Sequence, residues 1–236
     1  MPPIILAIRY LHIAAGFTGF FIAPVAMAMR KGGDKHRFWG KIYFYAMATA
    51  TVAALIVAAY RPNYFLLGLS VFSFHMAFSG YRILFRKRPD RDKPASYDWL
   101  VTIATILCGV LLLYLGITKA HGGFQILFIV FGIGMGVNGI KQLRDYTSSK
   151  RTKNDWFFDH MTGMLGSYIA AVTAFSAVNF NFLPTVVQWL WPSVIGIPLI
   201  SIWVAKYRKK FAKGAAPKDV ATVKIGDEEE TVLAEA

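Results

Sequence analysis

Between about residues 4 and 29 the chain reads IILAIRYLHIAAGFTGFFIAPVAMAM, an apolar run of roughly 26 residues whose single permanent charge is Arg9. At about 1.5 Å per residue, a helix of that length exceeds the ~30 Å hydrocarbon thickness of a bilayer. The run is too long for the apolar part of a signal peptide, and no basic stretch precedes it. An A-x-A-like Ala26-Met27-Ala28 lies near its end, but the strongly basic stretch 30–41 follows at once, so the segment is expected to be retained as a span. In hydrocarbon every backbone polar group must be satisfied internally, which leaves only helices or a closed barrel.

Six more apolar segments follow, at about 42–60, 64–85, 99–118, 123–143, 160–180 and 184–205, each of roughly 19 residues or more. None alternates polar and apolar residues, so a barrel is excluded and the fold expected is all-α. Only 17% of the residues are charged, where a soluble domain carries about a quarter. The expectation is a polytopic integral membrane protein with seven transmembrane helices in residues 1–205. A cytoplasmic tail, 206–236, would follow. It runs from basic to acidic, carries too few apolar residues to bury a core and is expected to be disordered.

The connections alternate in character. Those at 61–63, 118–123 and 181–184 are short and nearly uncharged, whereas 30–41, 86–98, 141–159 and the tail are longer and basic. Of the 26 Lys and Arg, only Arg9, Arg61 and Lys119 fall on the first side, and all 13 acidic residues fall on the second. Positive charge marks the cytoplasmic side, which puts the N-terminus outside and the C-terminus in the cytoplasm, most simply in a bacterial inner membrane. The net charge of +13 is divided by spans rather than gathered on one soluble face, so nucleic acid is not the expected partner. The partners expected are the bilayer itself and anionic lipid headgroups, met by Lys206, Arg208, Lys209 and Lys210.

Small residues at helical spacing mark where helices should meet: Gly132, Gly136 and Gly139; Gly163, Ser167, Ala170 and Ala174; and Ala15, Gly16, Gly19 and Ala23. The same faces could serve a homo-oligomer or a partner subunit. Cys108 is the only cysteine, which excludes an intramolecular disulfide and a thiolate metal site.

No carboxylate lies inside an apolar segment, and no P-loop, H-E-x-x-H or C-x-x-C occurs. The sequence therefore names no reaction. Its candidates are histidines. His12 and His75 stand at similar depth in helices entering from the same side, and an ionisable group at membrane depth is a functional candidate. Two imidazoles facing each other are the usual ligands of a b-type haem, so haem b is the cofactor this pair would hold. The alternatives are a small-molecule cavity lined by the same rings, or hydrogen bonds that only join helices in a structural or accessory subunit. His36 and His160 form a second pair at the basic side, where Asp34 and Asp159 could complete a metal site. Asp159 is expected to pair with a Lys or Arg of a neighbouring loop, Arg82 to snorkel to the interface, and Asn138 and Asn179 to find partners within the bundle.

Four stretches carry a family likeness. They are His12-x-x-x-Gly16, Lys35-His36-Arg37-x-x-Gly40-x-x-Tyr43, His75-x-x-x-x-Gly80-Tyr81-Arg82, and the helix from His160 to Asn179 with Thr173-Ala174-Phe175. In these the chain resembles the uncharacterised bacterial membrane proteins of the domain-of-unknown-function family DUF2306, over most of residues 5–205. The resemblance implies a polytopic membrane protein and brings no established activity.

The charge asymmetry is tested by reporter fusions. A reporter active only in the cytoplasm, joined after Ala236, is expected to be active, and one active only outside to be silent; the reverse pattern would invert the topology.

Overall fold

In the computed structural model, described for residues 2–88, 91–148, 151–152 and 154–213, the chain is all-helical. Seven α-helices occur among these residues: α1 (Pro3–Ala28), α2 (Asp34–Tyr60), α3 (Tyr64–Arg82), α4 (Ser96–Thr118), α5 (Gly122–Thr147), α6 (Asp155–Asn179) and α7 (Thr185–Ala212). A 3₁₀ turn, Ile83–Phe85, continues α3. Six helices, all but α3, are long and apolar enough to cross a membrane. The outer surface is in keeping with such a setting. Leu100 (69% exposed), Leu107, Ile117, Val194 and Ile202 all point outward, and a soluble monomer does not expose apolar side chains on this scale.

α3 differs from the others because it is the centre. It packs against α2, α4, α5 and α6, while α1–α2, α4–α5 and α6–α7 pair as hairpins around it. Its polar residues Ser70, Ser73 and His75 are buried in protein, and Ser70 and Ser73 donate to the carbonyls of Leu66 and Leu69 one turn back. A helix wrapped by other helices need not match lipid in hydropathy.

Several helices begin or end beyond the apolar segments. α2 starts at Asp34 rather than near 42, α4 at Ser96, and α6 at Asp155, and α5 runs on to Thr147. Hydropathy reports only the lipid-immersed stretch, whereas helical hydrogen bonding continues into the headgroup region, where polar side chains are solvated. The basic connection after α1 therefore shrinks to residues 29–33, turning at Gly32 with φ +77°, a conformation a side chain would strain. His36 lies on a helix, not in a hinge. At the other end α7 remains helical through Lys206–Lys210 to Ala212, so the tail expected from 206 is helical for its first turns. The acidic stretch beyond Lys213 lies outside the described residues.

Glycines set two close crossings. A methyl group built on Gly163 would stand 2.6 Å from Gly80 Cα, and one on Gly80 would stand 2.8 Å from the Met164 backbone nitrogen, so α3 and α6 touch backbone to backbone. Gly109 of α4 meets Gly132 and Gly136 of α5, and Gly139 meets Ile106. The expected faces on α5 and α6 are thus packing faces. On α1, Gly19 meets Met47, but nothing among the described residues lies within 4 Å of a methyl group on Gly16.

Asn63 caps α3, its side chain accepting from Leu66 N at 3.0 Å. Gln188, not singled out by sequence, ties the α6–α7 turn: its side-chain amide donates to the Ala177 carbonyl at 2.9 Å, and its backbone carbonyl accepts from Ser176 Oγ at 2.8 Å.

A side chain at the α3–α6 crossing has no space to occupy. Gly163→Ala is expected to lower stability in detergent by about 1–3 kcal/mol, read as a fall in thermal unfolding midpoint. Gly16→Ala, which meets nothing, should leave it unchanged or slightly raised.

Candidate functional site

The residues singled out by sequence fall into three places. His12 Nδ1 donates to the Ala50 carbonyl of α2, 2.8 Å away. Because a carbonyl only accepts, the ring nitrogen carries the proton, and His12 joins α1 to α2. His75 is 2% exposed and its Nδ1 has no partner among the described residues. It borders a small cavity of about 50 Å³ shared with Asn138, Lys141, Asp159 and Thr162 of α5 and α6. His12 borders neither that space nor the large cavity described below. The structure therefore gives His12 and His75 separate surroundings: the His12 ring joins α1 to α2, and the His75 ring faces α5 and α6.

The second pair does come together. The rings of His36 and His160 stand 6.3 Å apart between centroids, with 85° between their planes. Each is aimed by a backbone carbonyl of a neighbouring helix. His36 Nδ1 donates to Ala26 O of α1 at 2.9 Å, and His160 Nδ1 to Gly80 O of α3 at 2.8 Å. The second contact depends on the glycine crossing, since Gly80 lets α6 come near enough for its first turn to reach α3.

Both rings line one cavity of about 700 Å³ at the basic side, between α1, α2, the end of α3, α6 and α7. Helical spacing explains its walls. On α2, His36, Gly40 and Tyr43 recur at three or four residues, just after Gly33 at its N-cap; on α6, His160, Met164 and Tyr168 do the same; on α7, Trp203 and Tyr207. The deep wall is apolar and aromatic, with Tyr43 hydrogen-bonded to Ser167 Oγ at 2.6 Å. The rim carries Arg30, Lys31, Arg37, Lys41 and Lys87, and no carboxylate lines the cavity among the described residues. Lys87 lies 4.6 Å over the Trp156 ring. In the turn after α1, Lys31 donates to the Met27 carbonyl, and its burial lowers its pKa from the ordinary lysine value.

The carboxylates are engaged elsewhere. Asp34 pairs with Arg37. Asp159 pairs with Lys141 at 3.1 Å and with Arg151 of the preceding connection, as the sequence suggested. Among the described residues no three His, Cys, Asp or Glu side chains gather as metal ligands. The site expected from Asp34, His36, Asp159 and His160 is thus reduced to its two histidines. Arg82 does not snorkel. Its guanidinium makes a two-pronged pair with Asp98 at 3.0 and 3.1 Å, Arg86 stands 3.8 Å from the same carboxylate, and Asp98 is 1% exposed. Asp98 also accepts from Ala95 N at 2.9 Å, so one carboxylate caps α4 and holds the chain leaving α3. Asn138 and Asn179 donate to carbonyls one turn back in their own helices.

No protein-family model, no curated protein and no solved structure matches the chain. What can be said of function rests on the site.

Removing Asp98 would leave Arg86, 6% exposed at its side chain, without its partner carboxylate. Breaking a buried pair from one side costs about 3–5 kcal/mol. Asp98→Ala should therefore unfold at markedly lower temperature, whereas Asp34→Ala, whose carboxylate is 94% exposed, should not.

Proposed function

We propose that this is a ligand-binding membrane protein, a carrier or receptor for a small acidic molecule with an apolar body, seated in the cavity lined by His36 and His160. The observation that carries this reading is the composition of the wall: among the described residues, a cationic rim with no carboxylate over an aromatic interior. Pockets of roughly 300–1,000 Å³, mostly apolar with a few polar groups, are the usual size for small ligands. An anion at the rim would offset the mutual repulsion of its cations, and it would draw the pKa of Lys31 back up. The aromatic wall would cover the rest of the ligand.

The proposed setting is a seven-span bundle with the cavity opening to the cytoplasmic side, which the distribution of Lys and Arg supports. Lys206, Lys209 and Lys210, on the last turns of α7, would meet anionic headgroups at that same side. The motif likeness to the DUF2306 proteins is compatible with this, and its second stretch, Lys35 to Tyr43, supplies part of the cavity wall.

The test is thermal stabilisation by three ligands of one shape: 1-naphthyl phosphate, neutral 1-naphthol and cationic 1-naphthylmethylammonium. Binding to the folded state alone raises stability by RT ln(1 + [L]/Kd), about 2.7 kcal/mol at a hundredfold excess over Kd. The phosphate should raise the unfolding midpoint and the cation should not, with Lys41→Glu reducing the effect. Equal effects of all three would overturn the reading.

A further inference from the structure

Resting on that cavity, we propose that its occupant is a haem, with His36 and His160 as the two axial ligands. Four observations lead there. First, both Nδ1 atoms donate to backbone carbonyls, so in each neutral ring the lone pair sits on Nε2. Ring nitrogens that ligate metals are held in this way by a hydrogen bond from the other nitrogen. Second, neither Nε2 has a hydrogen-bond partner among the described residues, and neither is an enclosed, unsatisfied atom. Third, the rings come from different helices and stand 6.3 Å apart. With metal–nitrogen bonds of about 2 Å, two imidazoles on opposite sides of one metal have centroids about 6–6.5 Å apart.

The fourth observation chooses the metal's company. Two histidines alone do not make a tetrahedral site, and no third protein ligand gathers with them among the described residues. A porphyrin brings four equatorial nitrogens and asks the protein for axial ligands only. Its flat apolar ring suits the Tyr43, Met164 and Trp203 wall, and its two carboxylates suit a rim bearing Arg37 and Lys41. A bare divalent cation would meet that rim as a like charge.

The experiment uses the full chain in nanodiscs, titrated with haemin and, separately, with metal-free protoporphyrin IX. Haemin should give a six-coordinate, low-spin spectrum with a reducible Soret band. His36→Ala should convert it to a high-spin form or weaken haem binding on the order of tenfold or more, and added imidazole should restore the low-spin form. His160→Gln keeps a donor for the Gly80 carbonyl, so it should fold and still lose the low-spin spectrum. His12→Ala and His75→Ala should retain it. A spectrum identical to haemin in empty nanodiscs, or one unchanged by both His36→Ala and His160→Gln, would overturn the proposal. If protoporphyrin and 1-naphthyl phosphate still compete for the protein while haemin is not ligated, the haem assignment falls and the acidic-ligand cavity stands. If none of the three binds, both fall.

Discussion

The contact on which the structure depends is the crossing of α3 and α6 at Gly80 and Gly163, where the backbones meet with no side chain between them. In a bilayer apolar surface gains little by leaving lipid, so helices associate through close packing and hydrogen bonds. This crossing supplies both. It brings α3 into the centre of the bundle, and it lets His160 reach the Gly80 carbonyl. Without that approach the first turn of α6 would have nothing to aim its imidazole, and the cavity would lose one wall.

A second constraint acts at the same end of α3. Asp98 draws Arg82 and Arg86 together, while Tyr97 and Tyr146 lie against the two guanidinium groups at 4.7 and 4.8 Å. The paired charges are held where the chain leaves α3, and Tyr81, Phe85 and Lys87 of that same stretch face the cavity. Charge pairing and glycine packing therefore divide the work. The glycines set how near α6 comes, and Asp98 sets where the chain after α3 lies.

Much of this was legible in the residues. Apolar length and the absence of alternation required helices, and the small-residue spacing on α5 and α6 marked faces that do pack. The motif from Lys35 to Tyr43 was visible too, but its meaning was not, because the basic residues read as a connection. Only when α2 is seen to start at Asp34 do His36, Gly40 and Tyr43 become one face of one helix. The pairing of Arg82 with Asp98 was hidden for a similar reason: the two are separated by the whole connection between α3 and α4, and nothing local joins them.

By itself the sequence determined the class of solvent, the helical fold and the uneven distribution of charge, because these follow from length, hydropathy and residue type along one dimension. Which histidines meet was decided only by tertiary structure. Similar depth made His12 and His75 look like partners, yet depth is one coordinate of three. The hairpin turns His12 onto Ala50, the central position of α3 turns His75 toward α5 and α6, and the glycine crossing brings His160 to His36. Azimuth around each helix axis and the choice of neighbours come from packing among helices far apart in sequence, and no linear pattern carries them.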